Sequence, residues 1–256
     1  MSAVHLKTPE EIEVMAEGGR RLAHVLAELK KAVKPGVTTA SLDTRARELL
    51  AEVECEAAFL DYKPSGAGRA FPAALCTSVN DTIIHGIPSE YVLKEGDVVK
   101  LDMGLIHEGF YLDSAITVGV GKIDKDVAAL LRATRESLDA GVKAAKPGKT
   151  LGDIGAAIQE RVERDKFSVA QGLIGHGIGR NLHEDPNVFN VGRPGAGEVL
   201  KPGMVLAIEP MAAAGKGKIK QMKDDTFVTA DGSMSAHFEH TVAITKDGPR
   251  ILTANN

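Results

Sequence analysis

The sequence predicts an α+β protein made of two similar helix–helix–strand–strand halves around a central antiparallel sheet. Two observations lead to this fold class: two pairs of amphipathic helices, each followed by apolar strand-like segments, and an internal repeat that runs through both halves in the same order. One chance match would carry little weight, but four in order indicate a duplication. The matched segments are KAVKPG (31–36) with KAAKPG (143–148), IHGI (84–87) with GHGI (175–178), LKEGDVVKLD (93–102) with LKPGMVLAIE (200–209), and FYLDSAITV (110–118) with HFEHTVAI (237–244).

The helices are recognised by their caps and by the spacing of their apolar residues. The first is expected to begin after Thr8 as N-cap, with Pro9 at the first helical position and Glu10 and Glu11 in the first turn. The second helix is predicted at about 41–53, and the second pair at about 124–145 and 150–164. One buried face of the first helix follows from apolar positions three or four residues apart: Ile12, Met15, Gly19, Leu22, Leu26, Leu29 and Val33.

The composition is that of a globular chain and excludes several classes. Of 256 residues, 43% are hydrophobic and 26% charged, and no compositional linker divides them, which predicts one domain over 1–256 with internal halves of about 8–120 and 121–250. The net charge of −4 offers no bulk attraction to nucleic acid or an anionic membrane. No signal peptide or apolar span of about eighteen residues is found, so a cytoplasmic location is expected. In a cytoplasmic protein, Cys55 and Cys76 are interpreted as buried hydrophobic residues rather than as a disulfide pair.

Four carboxylates lie in segments that otherwise look like buried strands. Asp102 ends an apolar segment, Asp113 follows in the next, and Glu209 and Glu239 flank two more. A hairpin centred between His107 and Glu108 would place Asp102 opposite Asp113 on one face.

The alternative is that each acid sits solvated at a strand end. Burying four unpaired carboxylates costs several kcal/mol each, so we interpret them, together with His176 in GHGIG, as the ligands of a cation site. Two divalent ions would neutralise the four charges, and a mainly oxygen ligand set with one histidine suits Mn²⁺, Fe²⁺, Co²⁺ or Zn²⁺. Two closely spaced ions are typical of hydrolases, because they activate water near neutral pH. The two-histidine zincin motif and a phosphate-binding loop are both absent.

Taken together, these segments resemble the type I methionine aminopeptidases, which have the pita-bread or creatinase-like fold. The resemblance covers nearly the whole chain. It rests on SVNDTIIHGIP (78–88), KLDMGLIHEGFYLDSAIT (100–117), GHGIGRNLHEDPNV (175–188), LKPGMVLAIEPM (200–211) and SAHFEHTV (235–242).

The resemblance implies a single catalytic domain that hydrolyses the N-terminal methionine from nascent or newly made polypeptides and prefers a small second residue. The implied metal ligands for two divalent ions (Mn, Fe, Co or Zn) are Asp102, Asp113, His176, Glu209 and Glu239, with Asp113 and Glu239 bridging. Glu209 would also act as the proton shuttle, while His85 would bind near the scissile nitrogen and His183 near the carbonyl oxygen. The implied substrate-binding residues are Tyr62, Phe71, Cys76, His85 and His183.

Three departures from the family pattern concern the methionine pocket. The 63–70 segment is longer than usual, and Leu182 stands where some members carry Phe. Some members also carry a Trp in the segment that corresponds to 222–232, whereas here Phe227 is the one aromatic residue of that segment. The remaining histidines are interpreted as surface residues or as residues outside the ligand set, with His240 expected to orient its neighbour Glu239. They are His5, His24, His107, His237 and His240.

The resemblance also implies the partners. These are peptide and polypeptide N-termini, with the ribosome a further partner near the nascent chain; no nucleic-acid specificity, no membrane association and a monomeric state are expected. Two alternatives stay open: an X-Pro aminopeptidase or prolidase-like peptidase with the same chemistry, and a non-catalytic binding protein with the creatinase fold. The first is disfavoured by chain length, and the second by the presence of all five ligands.

Overall fold

The computed structural model describes residues 4–63 and 68–254, and the helices within this part of the chain come in two pairs. They are α1 Pro9–Ala32, α2 Thr39–Glu52, α3 Lys125–Ala144 and α4 Leu151–Arg164. Thr8 caps α1 as predicted, because its side chain accepts from the backbone N–H of Glu11 while the Glu11 carboxylate accepts from that of Thr8. Helix α2 begins before the predicted position 41, because Thr38 supplies the cap.

Fifteen strands are found among the described residues, and all their pairings are antiparallel. They are β1 Glu56–Ala57, β2 Cys76–Val79, β3 Thr82–Ile84, β4 Val98–His107, β5 Phe110–Gly119, β6 Ser168–Val169, β7 Ile174–Gly177, β8 Glu184–Phe189, β9 Val205–Ile208, β10 Met211–Ala213, β11 Ile219–Gln221, β12 Phe227–Thr229, β13 Ser235–His237, β14 His240–Thr245 and β15 Gly248–Ile251. Hydrogen bonding divides them into four sheets: β1, β4, β2 and β5; β13, β10 and β6; β11, β12 and β3; and β15, β14, β9, β7 and β8.

The β4–β5 hairpin corrects the predicted position of two carboxylates. Its turn is Glu108–Gly109, not a turn centred one residue earlier, and both residues have positive φ (48° and 75°), as a two-residue hairpin turn requires. With this turn, Asp102 faces Ala115 and Asp113 faces Gly104, so the two carboxylates are not directly opposite each other. Asp102 also lies within the ten-residue strand β4 rather than at the end of a strand. Because two positions separate 102 from 104, both carboxylates still share one face of the sheet.

The two halves meet along a seam between β5 and the β13–β14 segment. The Glu239 N–H donates to the Ala115 carbonyl at 2.9 Å, and the Ser114 hydroxyl donates to the Glu239 carbonyl at 2.8 Å. Thr241 bonds to Asp113 twice, because its hydroxyl donates to the carbonyl at 2.8 Å and accepts from the N–H at 3.1 Å. The seam thereby brings the carboxylates of the first half beside those of the second.

Strand register redefines which residues of the two halves correspond. The internal match pairs Lys100 with Ala207, yet Lys100 faces Ser78 while Ala207 faces His176. His176 thus occupies the place of Ser78, and the sequence-based pairing of His85 with His176 is wrong, because β7 repeats β2 and His85 follows β3.

The same register also separates Asp113 from Glu239. Gly104 and Met211 correspond in the internal match; Gly104 faces Asp113, and Met211 faces His237. The second-half counterpart of Asp113 is therefore His237 rather than Glu239, the acidic residue that the strand match suggested.

The two helix pairs pack in separate hydrophobic clusters, and the first cluster also takes in residues of the second half such as Val205 and Ala243. In the first, Met15, Leu22 and Leu29 of α1 are fully buried and belong to one cluster with β4 and β5. In the second, Ile154 and Ile158 of α4 are fully buried in a cluster with β9 and β14. Burial of this kind stabilises a fold by about 1.5–3 kcal/mol for each large aliphatic side chain, so the helices hold the carboxylate-bearing strands from outside. No helix of residues 4–63 and 68–254 is long and apolar enough to cross a membrane.

Candidate metal centre

One cavity of ≈ 1010 Å³ lies where the halves meet. All the residues that the sequence singled out as site residues line it: Tyr62, Phe71, Cys76, His85, Asp102, Asp113, His176, His183, Glu209 and Glu239. The first half supplies the first six of these and the second half the remaining four. Their spatial grouping is therefore a property of the seam and not of either half alone.

The four carboxylates form a buried cluster, and none of them forms an ion pair with a lysine or arginine among the described residues. One carboxylate oxygen of each of Asp102, Asp113 and Glu239 is buried without a hydrogen-bond partner among the described residues. Burial raises the pKa of Asp102 to about 7. It raises the pKa of Asp113 and Glu239 well above the usual range, with the neighbouring carboxylates adding to the effect, and burial likewise raises that of Glu209. Such a cluster fits divalent cations, because they would satisfy the unpartnered oxygens and offset the repulsion.

His176 presents a neutral ring nitrogen beside this cluster. Its Nδ1 donates to the carbonyl of Gly177 at 2.8 Å, so Nε2 carries the lone pair, 3.6 Å from Glu209 Oε1. Burial lowers the pKa of the His176 ring to about 3. One ligand atom from each of Asp113, His176 and Glu239 lies within 4.8 Å of the other two, which places a metal-compatible group across the seam.

A glycine lets β7 carry His176 this close to Glu209. A Cβ at Gly175 would stand 2.3 Å from the Ala207 carbonyl oxygen and 3.2 Å from Glu209 Cγ. Any side chain at position 175 would therefore push β7 away from β9. The glycine-flanked histidine noticed in the sequence has a steric reason.

His183 and His85 line the cavity but belong to neither group of metal-compatible side chains found among the described residues. The Tyr62 hydroxyl lies 2.7 Å from His183 Nδ1, and the His183 ring contacts that of His176 with 4.4 Å between centroids. His85 packs edge-on against Phe227 at 5.7 Å, and its backbone is held at φ +60°. A positive φ in a non-glycine residue costs on the order of 1 kcal/mol, and such strain is found where a side chain must point in one direction.

The apolar part of the cavity contains the predicted pocket residues and two more. Cys76 faces Asp102 across β2 and β4, and burial raises the pKa of its thiol well above the usual value, with Asp102 adding to the effect. It therefore stays a neutral apolar thiol. Leu182 and Phe227 also line the cavity, so the one aromatic residue of 222–232 does border the predicted pocket. Within the longer 63–70 segment, residues 64–67 lie outside the described residues.

Sequence reasoning missed His237. Its side chain is 1% exposed, and its Nε2 lies 3.5 Å from Glu209 Oε2. His240, which was expected to orient Glu239, is instead hydrogen-bonded through Nδ1 to the Thr253 hydroxyl at 2.9 Å. The sequence did contain a signal for His237, because it lies two positions before Glu239. Residues two positions apart in an extended segment point to the same face.

Comparison with known proteins identifies the class of this fold and site. The profile described as Metallopeptidase family M24 matches residues 13–246. A prolidase from Pyrococcus furiosus superposes with a TM-score of 0.78 at 22% identity, over 98% of this chain and 66% of that one, a likeness in fold alone. The chain therefore belongs to metallopeptidase family M24, and the expected pita-bread fold is confirmed.

More similar relatives narrow the group. Methionine aminopeptidase 1 of Bacillus subtilis is 46% identical over 248 residues, which cover 96% of this chain and 98% of the relative. The crystal structure of methionine aminopeptidase from Thermotoga maritima superposes with a TM-score of 0.94 at 43% identity, covering 99% of this chain and 100% of that one. Within the family, the chain groups with the methionine aminopeptidases.

Proposed function

We propose that this chain is a metallo-aminopeptidase that removes the N-terminal methionine from nascent or newly made polypeptides and prefers a small second residue. The observation that carries the proposal is one cavity whose lining combines four buried carboxylates and His176 with an apolar wall and the exposed His85 and His183. The full-length likeness to methionine aminopeptidases supports the same activity.

The proposed ligands are those of the sequence analysis: Asp102 for one ion, His176 and Glu209 for the other, and Asp113 and Glu239 between them. The unpartnered buried oxygens of Asp102, Asp113 and Glu239 support a divalent metal centre, and we propose two ions drawn from Mn²⁺, Fe²⁺, Co²⁺ and Zn²⁺. When bound, divalent ions supply Lewis-acid activation of water near neutral pH.

Glu209 is the proposed proton shuttle. Its two carboxylate oxygens lie between two imidazole rings, 3.6 Å from His176 Nε2 and 3.5 Å from His237 Nε2. With no ion bound, burial raises the pKa of Glu209 above that of a solvated glutamate. Glu209 would take a proton from the attacking water and deliver it to the leaving amine.

His183 and His85 are the proposed peptide-binding groups. Burial raises the pKa of the Tyr62 phenol, so its hydroxyl keeps a proton 2.7 Å from His183 Nδ1. In the proposed arrangement this hydroxyl donates to Nδ1, and the ring proton of His183 is on Nε2. That N–H would donate to the scissile carbonyl oxygen, where negative charge develops. The apolar wall of Tyr62, Phe71 and Cys76 would take the methionine side chain.

We also propose that residues 1–256 act as a single catalytic domain with internal halves of about 8–120 and 121–250. Asp102 and Asp113 come from the first half, and His176, Glu209 and Glu239 from the second, so neither half holds a full ligand set. Because one chain supplies all of these residues, we propose a monomer. We place its action in the cytoplasm, where its thiols are free, and near the ribosome that supplies the nascent chain.

Replacement of His85 tests the division between metal ligands and peptide-binding residues. His85→Ala is expected to lower kcat/KM by about 10- to 100-fold, because it removes one hydrogen bond to the reacting peptide. Its bound metal, measured by atomic emission after gel filtration, should equal that of the wild type. His24→Ala, which removes an exposed histidine of α1, is the control and should change neither value. Loss of metal from His85→Ala would show that His85 is a ligand.

A panel of peptides tests the proposed function itself. The metal-stripped protein, reloaded with each divalent ion in turn, should release methionine from Met-Ala-Ser faster than from a Met-peptide with a bulky second residue. It should cleave Ala-Pro or Leu-Ala-Ser poorly. Faster cleavage of X-Pro peptides would favour the prolidase-like alternative, and no cleavage by metal-loaded protein would favour a binding protein.

A further inference from the structure

His237 is a buried histidine whose ring has no hydrogen-bond partner among the described residues. Both Nδ1 and Nε2 are buried without one, in a side chain that is 1% exposed. Buried polar atoms in native proteins are nearly always satisfied, so an imidazole left in this way points to an ion or water that completes it. The proposed ligand set and peptide-binding groups do not include this residue.

The distances around His237 are those of neighbouring ligands of one ion rather than of a hydrogen bond. Nε2 stands 3.5 Å from Glu209 Oε2, beyond the 2.7–3.2 Å of an ordinary N–H···O bond. Two donor atoms that are each about 2.1 Å from a tetrahedral ion stand about 3.4 Å apart. His176 Nε2 has the matching position on the other oxygen, 3.6 Å from Glu209 Oε1. One ligand atom from each of Glu209, His237 and Glu239 also lies within 4.8 Å of the other two.

The strand register supplies an independent argument. His237 faces Met211 as Asp113 faces Gly104, and Met211 and Gly104 correspond in the internal repeat. His237 therefore occupies, in the second half, the position that the proposed ligand Asp113 occupies in the first. The two side chains approach the cluster from equivalent strands of the two halves.

We propose that His237 is an additional metal ligand, through Nε2, on the Glu209 side of the centre. The inference rests on the proposed metallo-aminopeptidase function. With His237 the centre has two imidazole donors, one beside each oxygen of Glu209. Imidazole suits Zn²⁺, Fe²⁺, Co²⁺ and Ni²⁺, whereas an all-oxygen site suits Mg²⁺ and Mn²⁺, so His237 biases the centre toward the first group.

Cobalt is the probe that tests this assignment. The full-length protein is stripped of metal and reloaded with Co²⁺, and proton NMR in water counts the strongly downfield-shifted, exchangeable imidazole N–H signals, one for each coordinated histidine. Two signals are expected from the wild type and one from His237→Gln. Calorimetry should show the Co²⁺ affinity of His237→Gln reduced by at least about tenfold, with a smaller loss for Mn²⁺.

Two further variants guard the result. His237→Asp places at this position the residue type found at Asp113, and it provides a second test in case His237→Gln folds poorly. It should lose one signal and keep its Mn²⁺ affinity. His107→Gln removes a buried histidine of β4 outside both metal-compatible groups and should keep two signals.

Three outcomes would overturn the inference. A single signal from the wild type, or two from His237→Gln, would overturn the ligand role, and if the protein still cleaves Met-Ala-Ser the proposed function survives. A wild-type protein that binds no Co²⁺ would overturn the metal centre and the inference together.

Discussion

Glu209→Gln is expected to lower kcat on a Met-Ala-Ser peptide by about 10²–10⁴-fold, the usual contribution of a general acid–base group. The amide keeps the shape of the side chain and one carbonyl oxygen to ligate, but it cannot accept a proton. Initial rates at saturating metal, with bound metal measured on the same samples, provide the test.

The control for this variant is Glu198→Gln, which makes the same change at an exposed loop residue before β9 and should leave kcat unaltered. A loss below about tenfold in Glu209→Gln with full metal content would contradict the shuttle, since removal of a true proton-transfer group costs more. A large loss together with absent metal would instead assign Glu209 to ligation alone.

Metal removal is expected to abolish activity and to lower the Tm by about 5–10 °C at neutral pH. An ion present at about 100 times its Kd stabilises by about 2.7 kcal/mol, and each kcal/mol shifts the Tm of a domain this large by about 2–4 °C. The comparison is between protein dialysed against chelator and the same protein reloaded with Mn²⁺ or Co²⁺. Unchanged activity after the metal content falls to zero would contradict a metallopeptidase mechanism.

The stabilisation by metal should also grow with pH. A carboxyl group whose pKa is higher in the folded than in the unfolded protein binds its proton more tightly when folded. Such a group therefore does not lower the free energy of unfolding below about pH 4. It lowers that free energy increasingly as the pH rises towards the pKa of the group in the folded protein. For Asp102 that value is about 7, raised by burial. The metal-free protein should lose stability between about pH 4 and 7, while the loaded protein, whose carboxylates are neutralised by ions, should not.

Calorimetry at several pH values measures this as the difference in Tm between loaded and metal-free protein, which cancels carboxylates elsewhere in the chain. Asp102→Asn is the matched variant. Its metal-free form should be more stable than the metal-free wild type at pH 7, because one buried charge is gone. A Tm difference that stays constant or shrinks with rising pH would contradict the burial of uncompensated charge in this cluster.

Much of the fold could be predicted because it rests on local signals. Thr8, Asp124 and Thr150 cap three helices at or next to the predicted boundaries, since a cap depends on hydrogen bonds within one turn. The apolar face of α1 was predicted from spacing alone and is buried from Ile12 to Leu29. The acids were recognised as candidate ligands because their types conflict with their apolar surroundings.

Three features could not be read in this way. The position of the β4–β5 turn depended on positive φ at Glu108 and Gly109, and apolar alternation does not report it. The correspondence of His176 with Ser78, rather than with His85, depended on which strands pair. The position of His237 beside Glu209 required the fold of the second half, in which β9 and β10 run antiparallel to β13 and β14.

The sequence by itself therefore determined the helix pairs, the duplication and the residue types of the candidate centre. These follow from contacts within a few residues and from the cost of burying charge. Only the tertiary structure decided the strand register, the meeting of Asp113 with Glu239 and the place of His237. The physical reason is distance along the chain: the bonds that set this geometry, such as Thr241 to Asp113, join residues 128 positions apart, and local preference carries no information about them.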